Sequence, residues 1–313
     1  MGFSIGLGRT GSAAQWYLPG TDISHLPSLP GDAPPPEAGA LEEVWNGPAT
    51  GATLLHGLVG VTGDAGFDAG LVLDVLGAWN TVKNASVQSD HAGRVTLSGF
   101  VHADVALGDG GDSFVDLHGA KRGNVETGHG ADVVTIEAAS NVWAWVNEFR
   151  VATGAGDDVV IVRPLDVAAA AADDPTFAST ASDAGAFTGT DAKSVVYADL
   201  GAGDDRFLAF GESADHVWAG GGDDLIRAGH GADVLAGGEG RDLFMFAAGD
   251  GADTILDFHP GEDRISFGLG PAATRALLAT ASEEDGSTTI VYGADSVTLV
   301  GVARSELTAS DLL

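Results

Sequence analysis

AGGGDDLIRAGHGADVLAGGEGRDLFMF, residues 219–246, returns an acid every nine positions, at Asp224, Asp233 and Asp242. Each acid closes a glycine-rich turn and is followed, two residues on, by a large apolar side chain: Ile226, Leu235 or Phe244. A turn that reverses the chain in so few residues needs positive φ and close backbone approach, which glycine supplies at least cost. The apolar residue two past the acid points inward on a pleated strand. Turn plus strand make one half-turn of a coil, and two half-turns close a rung.

Working outward, the same pattern ends at nine aspartates: Asp112, Asp132, Asp158, Asp205, Asp215, Asp224, Asp233, Asp242 and Asp253. Two residues past them stand Phe114, Val134, Val160, Phe207, Val217, Ile226, Leu235, Phe244 and Ile255. All nine are large and apolar, where a chain that is 44% hydrophobic would supply about four by composition alone. From Asp205 onward the half-turn spacing puts alternate acids on opposite edges of the coil. Asp205, Asp224 and Asp242 stack on one edge; Asp215, Asp233 and Asp253 stack on the other. Upstream the steps are about one full rung, so only one edge carries the motif, and segments such as GAKRGN and AASNVWAWVNEF turn the other. The Ala-rich stretch at about 164–194 reads as an insertion looping out of the coil with one helical turn.

The rest of the chain divides around this repeat. Residues 1–50 hold most of the prolines (Pro19, Pro27, Pro30, Pro34, Pro35, Pro36 and Pro48) and read as an extended leader. Short apolar runs separated by glycine over 51–111 read as N-terminal rungs of β-helix, 112–255 as the repeat roll and 256–313 as a C-terminal cap. The fold class is all-β, a right-handed parallel β-roll or β-helix solenoid. Residues 286–300 read as a capping hairpin in which SVTLV pairs with TTIVYG.

Composition narrows the partners. The 14 Lys and Arg against 45 Asp and Glu leave a net charge of -31, which turns the chain away from nucleic acid and anionic membranes and toward cations. Without cysteine there is neither a disulfide framework nor a thiolate metal site. The N-terminus lacks the basic and apolar regions of an ordinary signal peptide, and no apolar run is long enough to span a membrane. Stacked carboxylates and inward-facing turn carbonyls would repel one another unless a hard cation sat between rungs. Calcium fits, because it takes six to eight oxygens in flexible geometry; magnesium holds its water and demands a stricter octahedron.

These residues resemble the repeats-in-toxin (hemolysin-type) calcium-binding repeat, consensus GGxGxDxUx. That resemblance implies a parallel β-roll in which the carbonyls of the second and fourth turn residues and the aspartate oxygens coordinate several Ca2+ ions. Carried onto this chain, the ligand positions are Gly220, Gly222 and Asp224, then Gly229, Gly231 and Asp233, then Gly238, Gly240 and Asp242. Upstream they are Gly108, Gly110 and Asp112, then Gly128, Gly130 and Asp132, then Gly154, Gly156 and Asp158, then Gly201, Gly203 and Asp205. Gly249, Gly251 and Asp253 follow downstream, and Asp215 ends a weaker copy in which Ser213 replaces the fourth-position glycine. FMFAAGDGADTILDFHPGEDRISF is similar to the segment that closes the roll in serralysin-type proteases and other type I-secreted proteins. The ending VTLVGVARSELTASDLL, with Asp311, Leu312 and Leu313, is similar to a type I export signal.

Other motifs carry less. GFSIG and GLGRTG match nucleophile-elbow and dinucleotide patterns, but neither has the strand and helix its chemistry requires. There is no H-E-x-x-H, and His129 and His230 occupy equivalent turn positions facing solvent. Trp143, Trp145 and Phe149 are either rung-stacking residues or a sugar-stacking face. The expectation is a secreted calcium-binding protein of a Gram-negative bacterium, without cofactor or catalysis, exported by type I machinery and folding outside the cell. Its role would be adhesion, biofilm or surface structure, with matrix polysaccharide as a further partner. The rival is a β-helical enzyme or binding module for acidic polysaccharide over residues 50–160, using Asp104 with Asp109, or Glu126 with Glu137. A third reading is an accessory module of a larger toxin-like protein.

Overall fold

The computed structural model describes residues 82–98, 102–138, 147–164 and 194–313, and four earlier strands, β1 (Phe3–Gly8), β2 (Glu43–Trp45), β3 (Gly57–Gly63) and β4 (Phe67–Asp74). Most of the Pro-rich leader, the Ala-rich insertion, Trp143 and Trp145 lie outside the described residues.

From β3 onward the chain alternates between two sheets, one strand to each. The even strands are β4, β6 (Gly93–Ser98), β8 (Phe114–Ala120), β10 (Val133–Ala138), β12 (Val159–Pro164), β14 (Arg206–Ala209), β16 (Leu225–Arg227), β18 (Leu243–Met245) and β20 (Arg264–Ser266). The odd strands are β3, β5 (Val82–Ser89), β7 (His102–Ala106), β9 (Arg122–Glu126), β11 (Asn147–Ala152), β13 (Ser194–Asp199), β15 (His216–Gly221), β17 (Val234–Glu239) and β19 (Ala252–Ile255). Every neighbouring pair within these two series is parallel. The architecture is the parallel β-roll expected from the repeat.

The core is a thin slab between the two inner faces, built from rows of stacked side chains. Along the even sheet the ladder sets Val115, Val134, Val160, Phe207, Ile226, Phe244 and Ile265 in register. Along the odd sheet it sets Val105, Val125, Val151, Ala198, Val217, Leu235, Ile255 and Leu299 in register. All of these are buried. Complete burial of one such Val, Leu, Ile or Phe is worth about 1.5–3 kcal/mol, and in a slab this thin there is little else to hold the sheets together. The residues two past the acids supply most of the even row and, in the odd row, Val217, Leu235 and Ile255, so there one sequence period sets the core and the turns together.

The odd sheet carries additional strands at both of its ends. Strand β1 adds antiparallel to β3, and β2 adds antiparallel to β1. At the other end, α1 (Pro271–Thr280) leads into β21 (Ser282–Glu284), β22 (Ser287–Tyr292) and β23 (Asp295–Leu299). Strand β23 pairs parallel with β19 and antiparallel with β22, so the hairpin expected at 286–300 is present and caps the odd sheet. The chain's last residues cover the even sheet: Ile265 N–H donates to Asp311 O and Leu313 N–H to Ile265 O, both at 2.8 Å. No helix among the described residues is long and apolar enough to cross a membrane.

Candidate metal centres

Each repeat turn joins one sheet to the other, so the acids that end the turns form two columns. Asp132, Asp158, Asp205, Asp224 and Asp242 precede successive even strands; Asp215 and Asp233 precede β15 and β17, and Asp253 lies in β19, the next odd strand. The opposite edges expected for alternate acids are those observed. Two of the turn glycines show why no other residue serves. Gly203 has φ +143 and an added Cβ would lie 1.9 Å from Gly156 O; Gly231 has φ +159, with Ser213 O at 1.4 Å. Both the dihedral and the approach of the preceding turn forbid a side chain.

Within a column every aspartate bonds in the same way. Oδ1 accepts the backbone N–H of the equivalent aspartate one turn earlier: Asp132 N–H to Asp158 at 2.8 Å, Asp158 to Asp205 at 2.7 Å, Asp205 to Asp224 at 2.8 Å and Asp224 to Asp242 at 3.0 Å. On the other edge Val196 N–H donates to Asp215 at 2.9 Å, Asp215 to Asp233 at 2.8 Å and Asp233 to Asp253 at 3.0 Å. The second oxygen, Oδ2, is buried and without a hydrogen bond in all eight of these aspartates. The second-position glycine carbonyls are better paired than the sequence suggested. Gly154 O accepts Ala202 N–H at 3.0 Å and Gly201 O accepts Gly221 N–H at 2.9 Å, so each keeps only a second lone pair to offer.

Such burial raises the carboxyl groups. Loss of water pushes Asp158 and Asp224 up to about 6, Asp205, Asp215, Asp242 and Asp253 to about 7, and Asp233 to about 9. The like charges of neighbouring rungs add to it: Asp158 and Asp224 act on Asp205, and Asp215 and Asp253 on Asp233. A buried carboxylate oxygen with no partner is costly, so repetition of the same orphan on both columns needs a ligand to explain it. A hard divalent cation meets that need. Among the described residues no three Asp, Glu or His side chains already converge on one point, so the remaining donors would be turn carbonyls, which calcium accepts.

The first turn departs from the sequence reading. It holds one extra residue, so Phe114 pairs with Val133, and Ser113 takes the place aligned with Asp132 and donates its N–H to Asp132 Oδ1 at 2.6 Å. Asp112 is thereby displaced to the exposed rim, where it accepts Ala131 N–H at 3.0 Å. Val115, not Phe114, enters the core, and Gly111, not Gly110, lies under Gly130. Neither Asp112 nor Gly110 thus stands at the register position that the resemblance assigns it. Conversely, Asp263 ends the first column, accepting Asp242 N–H at 3.1 Å; the signal was present in GEDRI, which keeps the acid and the apolar residue two beyond it.

The acid pairs of the enzymatic rival are not brought together. Asp104 is buried on β7, bonded to His102 Nε2 at 3.0 Å and Asn124 Nδ2 at 2.8 Å, while Asp109 lies on an exposed turn paired with His129. Glu126 belongs to the odd sheet and Glu137 to the even one, where it accepts from His118 Nδ1 and Arg163 Nε, both at 2.8 Å. Phe149 is wholly buried in the core and offers no sugar face. His129 and His230 are exposed, as their turn position implied.

Residues 211–244 match the family model of the RTX calcium-binding nonapeptide repeat, in four copies. The chain carries RTX repeats. They are calcium-binding repeats and imply several Ca2+ ions, in agreement with the orphaned carboxylate oxygens. No curated protein matches the chain significantly. Among solved structures, it is similar to the extracellular lipase LipA from Serratia marcescens at 15% identity and a TM-score of 0.27, over 79% of this chain. The match spans 42% of the lipase's length.

Proposed function

We propose that this chain is a secreted calcium-binding β-roll protein that folds when it meets extracellular calcium and serves a non-catalytic adhesion, biofilm or surface role. The observation that carries the calcium-triggered part is the set of eight buried, partnerless Oδ2 atoms on the two columns. Without a cation they oppose folding, and with one they favour it, because only the folded chain has the sites. The ligands in this reading are those eight aspartates together with carbonyls of the turn glycines from Gly128 to Gly251. Export would be type I from a Gram-negative bacterium, directed by the region from 256 onward, with 112–255 as the calcium roll. Surface or matrix polysaccharide is the partner class.

Calcium titration of the chelated chain, followed by circular dichroism, is the direct test. A large gain of β-structure is expected; a spectrum and melting temperature that do not change after thorough chelation would overturn the reading. Export is tested separately, by expressing a chain that lacks residues 260–313 beside a type I exporter. Its appearance outside the cell would remove the C-terminal signal from the proposal.

A further inference from the structure

The two acid columns end differently. At the first, Asp257 accepts Gly237 N–H and Gly238 N–H at 3.0 Å each, and Asp263 accepts Asp242 N–H at 3.1 Å and His259 N–H at 2.7 Å. All four carboxylate oxygens there are engaged. At the second, the last turn, Gly249–Asp253, lies against the capping hairpin. Asp295, which pairs with Tyr292 across that hairpin, accepts Gly249 N–H at 2.8 Å and Gly251 N–H at 3.2 Å.

Three oxygens at this second end are left over. Asp250 is the third residue of its turn, the position at which His129, His230 and Glu239 face solvent, yet here it is wholly buried. Its Oδ2 accepts Ala247 N–H at 2.6 Å; its Oδ1 is buried without a hydrogen bond, the exposed His230 Nδ1 standing 3.2 Å away but bonded to Gly249 O at 2.8 Å. Asp253 Oδ2 and the Tyr292 hydroxyl are buried as well and face one another, neither making a well-formed hydrogen bond. Tyr292 is 6% exposed, so water does not satisfy its hydroxyl. Tyr292 pairs with Asp295, which holds the Gly249–Asp253 turn, so the hairpin brings the phenol to that turn. Burial first, then the charges of Asp253, Asp250, Asp295 and Asp233, keep it protonated. A lone buried phenol could be an accident of packing; beside two orphaned carboxylate oxygens it has a common explanation.

We propose that the last turn of the second column and the hairpin over it form a separate hard-cation site, with calcium bound by Asp250 Oδ1, Asp253 Oδ2 and the Tyr292 hydroxyl while Asp295 positions the turn. This site goes beyond the repeat ligands, since Asp250 and Tyr292 lie outside the matched repeats and Asp250 takes a position the other turns leave to solvent. Its consequence is to clamp the cap to the roll across 46 residues of sequence, the separation between Gly249 and Asp295. An ion there would make folding of the cap depend on calcium, not only folding of the repeats.

The test uses the full chain and two variants, Asp250→Asn and Tyr292→Phe, with ions per chain counted by native mass spectrometry. Luminescence of bound Tb3+ supplies the second readout; the chain's 3 tyrosines and 6 tryptophans all sensitise it, so the share of Tyr292 is read as the difference between wild type and Tyr292→Phe. Asp250→Asn is expected to bind one ion fewer than wild type, and Tyr292→Phe to lose the part of the emission that Tyr292 sensitises while keeping its β-structure. Asp224→Asn, within the repeats, is expected to disturb ion uptake there and leave the emission in place. A folded Asp250→Asn with the wild-type ion count, or undiminished emission from Tyr292→Phe, would overturn the site. If Asp250→Asn does not fold, Tyr292→Phe decides. A wild-type chain that takes up no ion sinks this site and the calcium reading together, whereas ions that are bound but unaffected by either variant sink this site alone.

Discussion

Asp233 shows what a single residue contributes. Burial first, then the charge of Asp215, pushes its carboxyl from an ordinary 3.8 up to about 9. A group raised in the fold contributes its full stability below its unfolded value and loses it as pH rises through its folded value. For the column aspartates that window runs from 3.8 to between about 6 and 9, so the metal-free roll should gain stability on acidification from about pH 8 to about pH 5. In excess calcium the trend should reverse, because protons then compete with the ion for the same oxygens. Melting curves in chelator and in calcium across that range check this; the same pH trend in both would be incompatible with it. Asp205→Asn tests the same oxygens by substitution. It keeps an acceptor for Asp158 N–H and removes the charge, so at about pH 8 it should stabilise the metal-free fold by roughly 1 kcal/mol and weaken the calcium-bound one. Gly203→Ala should cost at least about 1–3 kcal/mol in either state, since φ +143 and a carbonyl 1.9 Å from the new Cβ leave it no room.

At the scale of elements, most strands were legible because one period carries core, turn and acid at once. Val134 to Phe244 fall where the count puts them, and so do both columns from Asp132 onward. The first turn was misread because an inserted glycine leaves G-x-G and the acid intact while moving them one residue out of register. The pairing of Phe114 with Val133, the burial of Val115 and the approach of Gly111 to Gly130 reveal the shift. Helix α1 was missed although it begins with Pro271 at its first position, because its apolar face is weak and one residue, Thr274, is buried within it. The caps Asp257 and Asp295 were illegible for another reason: they act on turns 20 and 46 residues away, a distance no local motif spans. A charged ladder across three even strands also escaped notice. His118 on β8 bonds Asp116 at 2.9 Å and Glu137 on β10 at 2.8 Å, and Arg163 on β12 completes it. Asp116 first and Glu137 second raise His118 to about 10, so its contribution is complete below 6.5 and is lost only as pH climbs through about 10. The His118 ring resonances should therefore stay those of imidazolium at about pH 8; a midpoint near 6.5 would dissolve the ladder.

For the whole molecule the decisive quantity is a net charge of -31 concentrated in part on two inner columns. Two kinds of repulsion follow, and they respond to different ions. Exposed acids such as Asp157, Asp204 and Asp223 lie in water and are screened by any salt. The column aspartates are shut away from water, so a monovalent atmosphere reaches them poorly, and a bound divalent ion is needed. Sodium chloride should therefore raise the melting temperature of the chelated chain modestly, and calcium should raise it much further at far lower concentration. Each independent site adds about 2.7 kcal/mol at a hundredfold excess over its dissociation constant, so several sites make the midpoint climb steadily with calcium. Magnesium at equal ionic strength is the discriminating control, because its reluctance to shed water suits it poorly to carbonyl-rich turns. If magnesium or concentrated sodium chloride matched calcium, the stabilisation would be bulk screening of an acidic surface, and the buried Oδ2 atoms would not be its source.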